Sequence, residues 1–493
     1  MSAARPAPPQ AVELLDELLD PGSFTRWDTP ALHPEPVSAE YRQSLKAATA
    51  ASGADESITT GDGRIRGQQV AVAVSDFGFL GGSVGVAAAR RLVAAVERAT
   101  RMQLPLILSP ASGGTRMQEG TPAFVEMIAV ARAVQAHRRA GLLAVTYLRH
   151  PTTGGAFASW GSLGSITLAE PGALVGFLGP KIYRELHGHP FPRNVQTAEN
   201  LYARGVVDLV LARQELRQLL GRLLEHVAAV KHVDLVTSGA RPPDIETEVD
   251  AWAAVLATRR SDRPGLRELL DRAAANVVEL SGTGEGEVAA ATVLCLARFG
   301  RRSCVLVGQD RAAAQRAPGP ADLRVARRGM RLAEELRLPL VTVIDTSGGE
   351  LSPEAENGAL AGEIARCLAQ TSEMTAPTVS VLLGQGCGGV ALALLPADRR
   401  IAARNAWLAP LPLEGASTIV HGTPDRSAAM ARALRIRSTD LLEAGTIDRV
   451  VDEDPDAADQ PGAFLDRLGD AIEEELTAAL IVGRSRQRDI DGL

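Results

Sequence analysis

The chain has 493 residues, of which 45% are apolar and 23% are charged, and this is the composition of a globular protein with two or three domains. A formal net charge of −7 argues against a nucleic-acid partner, and no apolar run reaches the roughly 18 residues that a membrane span needs. Because the first residues lack the apolar core of a secretory signal, we expect a cytoplasmic protein.

The first 60 residues are rich in proline, alanine and acidic residues, and we predict a leader with one or two short helices there. Residues 61–235 are predicted to form the first domain. Apolar β-branched runs predict its strands, at Val70–Val74, Leu106–Leu108 and Leu142–Tyr147. Helical spacing of apolar residues predicts its helices, at Val86–Thr100 and Val125–Arg138.

A linker is predicted at 236–262, because Ser238-Gly239 and Arg241-Pro242-Pro243 are typical of turns. Residues 263–493 are predicted to form the second domain. Its strands are predicted at Val293–Leu296, Ser303–Val307, Leu340–Ile344 and Thr378–Leu383. Its helices are predicted at Leu323–Arg337, Gly358–Ala369 and Gly462–Leu480, followed by a polar tail. Strands that alternate with helices indicate an α/β fold with a largely parallel sheet.

The two predicted domains repeat the same short motifs in the same order. Three motifs recur at a spacing of about 234 residues. They are Leu104-Pro105-Leu106 with Leu338-Pro339-Leu340, Ser112-Gly113-Gly114 with Ser347-Gly348-Gly349, and Gly154-Gly155-Ala156 with Gly388-Gly389-Val390. Repeats of this length indicate a duplicated domain and not a solenoid of short units.

The recurring glycine pairs are the strongest candidates for chemistry. A single glycine pair is most often only a tight turn, but Gly154-Gly155 and Gly388-Gly389 each follow a predicted strand and open a predicted helix. The first turn of a helix carries N–H groups without an internal acceptor and the positive end of the helix dipole. Such N–H groups can stabilise an oxygen that becomes negative in a transition state. Two such oxyanion holes suit a reaction between two substrates.

Longer motifs carry a resemblance to a known family. The first half resembles the β carboxyltransferase subunit of bacterial acetyl-CoA carboxylase over about residues 60–215, and the second half resembles the α subunit over about residues 285–452. The first-half motifs are Phe79-Leu80-Gly81-Gly82-Ser83-Val84-Gly85, Ser112 to Gly120, Pro151 to Ala156 and Ala169 to Phe177. The second-half motifs are Ile344-Asp345-Thr346, Gly384 to Ala393 and Pro412 to Ser417. The chain therefore resembles a fusion of the β and α subunits.

The resemblance implies two tandem crotonase-like (ClpP/crotonase) domains built of duplicated β-β-α units. It implies transfer of a carboxyl group from carboxybiotin to the α-carbon of an acyl-CoA, with the biotin on a separate carrier protein. Biotin carboxyl carrier protein and biotin carboxylase are the partners it implies. In the family, the site lies between the first half of one protomer and the second half of another, so a homodimer, or a hexamer of such dimers, is expected.

The family's roles carry over to matching positions of this chain. Gly154 and Gly155 are expected to hold the thioester carbonyl, and Gly388 and Gly389 the biotin ureido oxygen, through backbone N–H groups. Gly113 and Gly114 are expected to shape the first pocket, with Gly348 and Gly349 in the equivalent place of the second. Arg116 is expected to order its loop or to bind a CoA phosphate, with a salt bridge to Glu119 or to a neighbour as the structural alternative. Lys181 could reach CoA phosphate or be a surface lysine.

Three departures from the family pattern concern the N-terminus and the pocket. The four-cysteine zinc ribbon that usually begins the β subunit is missing here. Asp345-Thr346-Ser347-Gly348-Gly349-Glu350 stands where the α subunit usually has a Pro-Gly-Ala-Tyr stretch, and Cys387 replaces a serine. We therefore expect that the acyl group need not be acetyl. The chain has no Met-Lys biotinylation motif, so alone it could carry out only the transfer half-reaction.

Other functions fit parts of the sequence less well. A serine hydrolase could use Ser83 in Gly81-Gly82-Ser83-Val84-Gly85, with Asp208 and His226 as partners, but this motif does not recur in the second half. A crotonase-type decarboxylase, hydratase or hydrolase would work without biotin, and a hydratase would need a carboxylate such as Glu119, Glu170 or Glu350 beside the hole. A non-catalytic scaffold would not need two intact glycine pairs.

No metal site is predicted. The four cysteines form no Cys-x-x-Cys pair, and Cys295 and Cys304 lie in apolar runs typical of buried thiols. His187-Gly188-His189 lies on a Gly/Pro-rich stretch without nearby cysteines or an acidic cluster, which favours surface residues over metal ligands.

Overall fold

A computed structural model describes residues 10–33, 38–229, 249–312 and 317–491. The chain divides into two units. The first comprises the residues up to Glu225 together with Gly284–Gly286, and the second comprises His226–Thr283 and Glu287–Leu493. Residues 236–248 of the predicted linker lie outside the described residues. Within the described residues, no helix is both long enough and apolar enough to cross a membrane.

The first unit alternates strands and helices after its N-terminal helices. Its helices are α1 Gln10–Leu18, α2 Ala39–Ser52, α3 Val86–Arg101, α4 Gly120–Arg139, α5 Gly154–Ala156, α6 Pro180–His187, α7 Ala198–Ala203 and α8 Arg213–Ala229, which continues into the second unit. Its strands are β1 Thr25–Arg26, β2 Ile58–Ile65, β3 Gln68–Ser75, β4 Leu106–Ser109, β5 Ala144–Leu148, β6 Thr152–Thr153, β7 Ile166–Ala169, β8 Val175–Gly176 and β9 Leu209–Val210.

Seven of these strands form one sheet in the order β1-β2-β3-β4-β5-β7-β9. The β1–β2 and β2–β3 pairs are antiparallel, and the pairs from β3 to β9 are parallel. Strands β4 and β5 are buried along their whole length, as parallel strands with both faces covered usually are. Helices α3 and α4 pack together, and their apolar faces share a core with Leu106 and Trp160. A separate parallel pair, β6 and β8, leads into α5.

The second unit repeats this arrangement. Its helices are α9 Ala251–Thr258, α10 Leu266–Ala273, α11 Pro320–Leu336, α12 Pro353–Asn357, α13 Leu360–Glu373, α14 Gly388–Leu392, α15 Leu413–His421, α16 Ser427–Ala433, α17 Ser438–Glu443 and α18 Pro461–Asp491. Its strands are β10 Ala274–Leu280, β11 Thr292–Phe299, β12 Arg302–Gln309, β13 Leu340–Thr346, β14 Thr378–Cys387, β15 Arg399–Ala403, β16 Trp407–Ala409 and β17 Arg449–Val451.

The second sheet has the order β10-β11-β12-β13-β14-β15-β17, with β16 paired to the end of β14. Its first two pairs are antiparallel and the following pairs are parallel, as in the first unit. The β2–β3 hairpin and the β11–β12 hairpin begin and end 234 residues apart, and so do the starts of α3 and α11. The predicted duplication is therefore visible strand by strand.

The structure corrects the register of one repeated motif. The sequence comparison paired Ser112 with Ser347, but the bridge Ser112–Thr152 corresponds to the strand pair Thr346–Gly386, 234 residues on. Ser112 is therefore equivalent to Thr346, and Gly114 to Gly348. The segment Thr346-Ser347-Gly348-Gly349 contains its own Ser-Gly-Gly string, so the motif matched one residue further along the chain than the strand pairing does.

The domain limits also differ from the predicted ones. Strand β2 begins at Ile58, inside the predicted leader, and α9 lies inside the predicted linker. Ala251 and Val255 of α9 are buried against Trp407 in the core of the second unit. The glycine and prolines of the predicted linker, Gly239, Pro242 and Pro243, all precede α9, so composition placed the end of the linker too late.

Candidate active site

In the first unit, two glycine-containing loops meet at the start of α5. Gly154 has φ +59° and Gly114 has φ +109°, a backbone region that other residues rarely adopt. A Cβ on Gly114 would lie 3.3 Å from the backbone N of Gly155 and 3.4 Å from the Cα of Gly154. The two loops therefore touch through their backbones, and this contact needs glycine on both sides.

The N–H groups at this contact are not equivalent. Gly154 donates its N–H to the carbonyl of Phe177 at 3.0 Å, so this group is already used inside the protein. Gly155 is the next residue along α5, and its N–H has no protein acceptor within the described residues. This corrects the expectation that both residues of the pair offer an N–H to a ligand, and it leaves Gly155 as the donor.

A second N–H group without a protein acceptor lies on the Ser112 loop, at a residue that the sequence motifs did not single out. Gly113 donates its N–H to the carbonyl of Gly81 at 2.9 Å, and Gly114 donates to Ser112 Oγ at 3.0 Å. For the N–H of Thr115, by contrast, the described part of the chain offers no acceptor. A Cβ on Gly155 would lie 2.7 Å from Thr115 Oγ1, so Thr115 borders the same space. Both residues are partly accessible to solvent.

The second unit has corresponding φ angles and a corresponding hydrogen bond at the start of α14. Gly388 has φ +71° and Gly348 has φ +136°, and Gly348 donates its N–H to Thr346 Oγ1 at 3.2 Å as Gly114 does to Ser112. Among the described residues, the N–H groups of Gly349 and Gly389 have no protein acceptor. In the corrected register, Gly349 is equivalent to Thr115. An alignment of the two halves in that register would therefore have identified Thr115 from the sequence.

Arg116 holds the first loop from inside the protein. Its side chain is fully buried, and Nη1 and Nη2 contact the two carboxylate oxygens of Glu56 at 2.5 and 2.6 Å. Nη2 also donates to the carbonyl of Ser83 at 2.7 Å. Burial by itself would lower the pKa of Arg116, but the bonds to Glu56 outweigh it and the pKa is raised. Arg116 also lies 3.5 Å from Glu119, so the structure has the ion pairs of the structural alternative, and these pairs hold the loop. No phosphate can reach a buried and paired guanidinium.

Glu119 ties the same loop to two helices. One carboxylate oxygen accepts the N–H of Val86 at the start of α3 at 2.6 Å, and the other accepts the hydroxyl of Tyr41 in α2. Burial, together with the bond to Glu119, raises the pKa of Tyr41, so the phenol stays neutral. Glu56 and Tyr41 belong to the predicted leader, which therefore forms part of the support of the loop.

A second buried arginine fastens the strand ends from which the loops leave. Arg149 directly follows β5, donates from Nε to Ser109 Oγ at 2.9 Å, and contacts the carbonyls of Ser75 and Ser109. Burial, with a smaller effect of Arg213, lowers its pKa to about 10. Arg149 thus links the ends of β3 and β4 immediately before the Ser112 loop, and the sequence patterns gave no sign of it.

In the second unit, Asp345 supports the strand that leads to Gly388. Its side chain is buried, accepts the N–H of Gln385 at 3.0 Å, and lies 3.6 Å from Arg311. Gln309 accepts the N–H of Asp345 and donates to the carbonyl of Val390 at 3.2 Å, just beyond the glycine pair. Burial raises the pKa of Asp345.

The remaining candidates lie at separate places. Lys181 is in α6, but its side chain is outside the described part of the structure. Ser83 donates its hydroxyl to the carbonyl of Leu80 and accepts from Arg116 Nε at 3.2 Å, so it is a structural group and not an exposed nucleophile. His226 contacts Ser303 Oγ and the carbonyl of Asn276.

The chain is similar to known proteins over nearly its whole length. The family model described as "Carboxyl transferase domain" matches residues 10–488. A Mycobacterium tuberculosis protein named "Probable biotin-dependent acyl-coenzyme A carboxylase beta3 subunit" is 55% identical over 469 residues, which are 94% of each chain. A Saccharopolyspora erythraea protein named "Acetyl-coenzyme A carboxylase carboxyl transferase subunits beta/alpha" is 36% identical over 491 residues, covering 97% of this chain and 85% of that one.

A solved structure shows the same fold. The transcarboxylase 12S hexamer, crystallised with methylmalonyl-coenzyme A and methylmalonic acid, matches with a TM-score of 0.74 and 21% sequence identity. The match covers 92% of this chain and 89% of the other. It confirms the predicted α/β fold of two tandem crotonase-like domains.

The buried ion pair beneath the first loop predicts a stability effect. Replacing Glu56 with Gln leaves the charge of Arg116 buried without its carboxylate, and we expect a loss of about 3 kcal/mol in the free energy of unfolding. Urea unfolding of the whole chain measures this loss. The control is Glu126→Gln, which removes an ion pair to Arg90, whose side chain is 67% exposed, and should cost less than about 1 kcal/mol. Equal effects of the two substitutions would contradict the structural role of Glu56.

The burial of the four cysteines can be tested by chemical modification. All four are buried, and burial raises the pKa of Cys387 to about 11, so its thiolate is scarcer at pH 8 than that of an ordinary thiol. We expect native protein treated with iodoacetamide at pH 8 to gain no adduct by intact-mass measurement, and protein unfolded in guanidinium to gain four. A native adduct on Cys387, which directly precedes Gly388, would show that this segment opens to solvent.

Proposed function

The chain belongs to the carboxyl transferase domain family, and we propose that it forms the carboxyltransferase of a biotin-dependent acyl-CoA carboxylase whose two half-sites each use a pair of backbone N–H donors. It acts as an enzyme on acyl-CoA. The observation that carries the proposal is the recurrence of one donor geometry in both units, at Thr115 with Gly155 and at Gly349 with Gly389. A reaction with two oxyanions needs two such places.

The first pair is assigned to the acyl-CoA. Removing a proton from the α-carbon makes the thioester oxygen negative, and the N–H groups of Thr115 and Gly155 would donate to that oxygen. Gly154 contributes its conformation, because φ +59° turns the chain so that Gly155 can face the ligand. Gly113 and Gly114 shape the loop that carries Thr115. A donor of this kind typically contributes about 10²–10³-fold to kcat.

The second pair is assigned to biotin. Carboxybiotin, bound on its carrier protein, supplies the carboxyl group. The N–H groups of Gly349 and Gly389 fit the ureido oxygen, because both lack a protein acceptor among the described residues and both residues are partly accessible. Gly348 and Gly388 both have positive φ angles, as Gly114 and Gly154 do beside the first pair.

The chain's acidic residues near the first pair are engaged in structural contacts. Glu119 is bound to Tyr41, to the Val86 N–H and to Arg116, and Glu170 lies 3.4 Å from Arg213 and accepts the His150 N–H. The protein's contribution at this place is therefore positioning and electrostatic stabilisation more than proton transfer.

The partners follow from the same assignment. We propose a biotin carboxyl carrier protein and a biotin carboxylase as partners, because the sequence carries no Met-Lys biotinylation motif of its own. A second copy of the chain is a further proposed partner. On α4, Phe124, Val125 and Ile128 are each more than half exposed, which is typical of a face that another protein covers.

A biotin-independent reaction on the same fold is the second candidate. Glu350 directly follows the donor Gly349, and its carboxylate accepts the hydroxyl of Ser352 at 2.8 Å. Glu350 therefore lies directly beside a proposed donor, and within the described residues it takes part in no buried ion pair. A decarboxylase or hydratase would use this carboxylate.

The reverse half-reaction tests the function. Purified protein is incubated with malonyl-CoA or methylmalonyl-CoA, with and without free biocytin, and the decarboxylated CoA ester is followed. We expect loss of the carboxyl group only with biocytin, and the faster ester identifies the acyl group. Loss without biocytin would support the second candidate, and no reaction with either ester would contradict the acyl-CoA assignment.

A substitution tests the assignment of the second pair. Replacing Gly389 with Val puts a Cβ 2.7 Å from Ile364 Cδ1 and crowds the N–H, so we expect kcat to fall by about 10²–10³-fold while acyl-CoA binding stays within a few-fold. The control is Gly462→Val, because the nearest atom to a Cβ there is 4.0 Å away. If the variant keeps a native circular dichroism spectrum but also loses acyl-CoA binding, the two pairs have been assigned the wrong way round.

A further inference from the structure

We propose that a surface of the first unit, formed by Tyr183, Arg184, His187, His189, Phe191 and Arg193, binds the adenosine 3′,5′-bisphosphate end of CoA. We call it the aromatic–arginine surface. The inference rests on the proposed function, because it gives the nucleotide of the acyl-CoA a place next to the proposed thioester site.

Aromatic rings gather at the end of α6. The Tyr183 ring is central, with centroid distances of 4.3 Å to His187, 5.4 Å to His189 and 4.5 Å to Phe191. The two histidines are exposed, and Tyr183 and Phe191 are partly exposed. A cluster of rings that remains open to solvent offers faces on which a purine can stack, and stacking of a base on an aromatic side chain contributes about 1–3 kcal/mol.

Cationic residues flank these rings. Arg184 and Arg193 are exposed, and within the described residues neither forms an ion pair. Between Lys181 and Arg193 the chain has three basic residues and one acidic residue, Glu185. Two arginines without a carboxylate partner in the described part of the chain, beside an aromatic cluster, suit a phosphorylated ligand, which a guanidinium binds through paired hydrogen bonds.

The position of this surface relates it to the proposed thioester site. The carbonyl of Phe177 accepts the N–H of Gly154, so the segment that follows β8 begins in contact with the glycine pair. Gln196 fixes the start of the segment by donating to the carbonyl of Leu178 at 2.7 Å. Helix α6 then spans eight residues, or about 12 Å. In CoA, the pantetheine arm likewise separates the thioester from the nucleotide.

The assignment distinguishes two kinds of acyl carrier. A carrier protein presents its thioester on phosphopantetheine, which lacks both the adenine and the 3′-phosphate. A surface that stacks a purine and binds phosphate therefore selects a CoA ester and disfavours a carrier-protein thioester.

The first test is direct binding of 3′,5′-ADP by isothermal titration calorimetry. We expect binding to the native chain and a loss of about ten-fold or more in affinity for Tyr183→Ala, which removes the central ring, and for Arg193→Gln, which keeps the fold and removes one charge. The control is Tyr202→Ala, because Tyr202 is an exposed aromatic residue of α7 in the same unit. Unchanged affinity in both Tyr183→Ala and Arg193→Gln would overturn the proposal.

The second test compares substrates in the biocytin-dependent reaction. For malonyl-CoA or methylmalonyl-CoA, whichever reacts faster, Tyr183→Ala should raise KM about ten-fold, while KM for the corresponding pantetheine thioester stays at the native value. An equal rise for both thioesters would overturn the proposal. Loss of 3′,5′-ADP binding in the variants of a chain without biocytin-dependent activity would retain the nucleotide surface and reject the carboxyltransferase function.

Discussion

Backbone contact between two loops is the constraint on which the first half of this protein depends. Gly114 and Gly154 approach so closely that a side chain on the former would meet the backbone of the latter, and both adopt positive φ angles. In the second half, Gly348 and Gly388 also adopt positive φ angles, but the nearest atoms to a Cβ on Gly348 belong to the side chains of Cys387 and Pro412. In the first half, the close approach of Gly114 and Gly154 brings an N–H from a strand-end loop beside an N–H from the first turn of a helix. The sheet, the helices and the buried ion pairs serve to keep those two segments in place.

The support of the first loop is charged, whereas the surrounding core is apolar. Arg116 is paired with Glu56 and Arg149 is held by carbonyl and hydroxyl groups, and both guanidinium groups are buried. Buried charges add little net stability compared with apolar packing, but they fix geometry because each misplaced atom loses a strong bond. The segment before β2 supplies Glu56 and Tyr41, so it is part of the folded unit and not a detached leader.

The sequence predicted the elements with strong local signals. The strands β3, β4, β12 and β13 and the helices α3 and α11 fall within a few residues of their predicted positions, since apolar periodicity and glycine pairs are local properties. What failed depends on contacts between distant segments. The use of the Gly154 N–H by Phe177, the donor role proposed for Thr115, the burial of Arg116 and the packing of α9 all require the tertiary structure. The one-residue error at Ser347 arose because a motif was matched without its strand pairing.

The two donor pairs differ in their capacity for evolutionary change. At Gly155 the nearest atom to an added methyl group is Thr115 Oγ1. The residues on both sides of Thr115, Gly114 and Arg116, form backbone hydrogen bonds with Val84. At Gly389 it is the end of the Ile364 side chain, which can rotate away. Alanine can therefore be accommodated in the second half but is resisted in the first. After duplication, the two glycine pairs therefore tolerate substitution differently. A methyl group can be accommodated at Gly389, whereas Thr115 hinders one at Gly155.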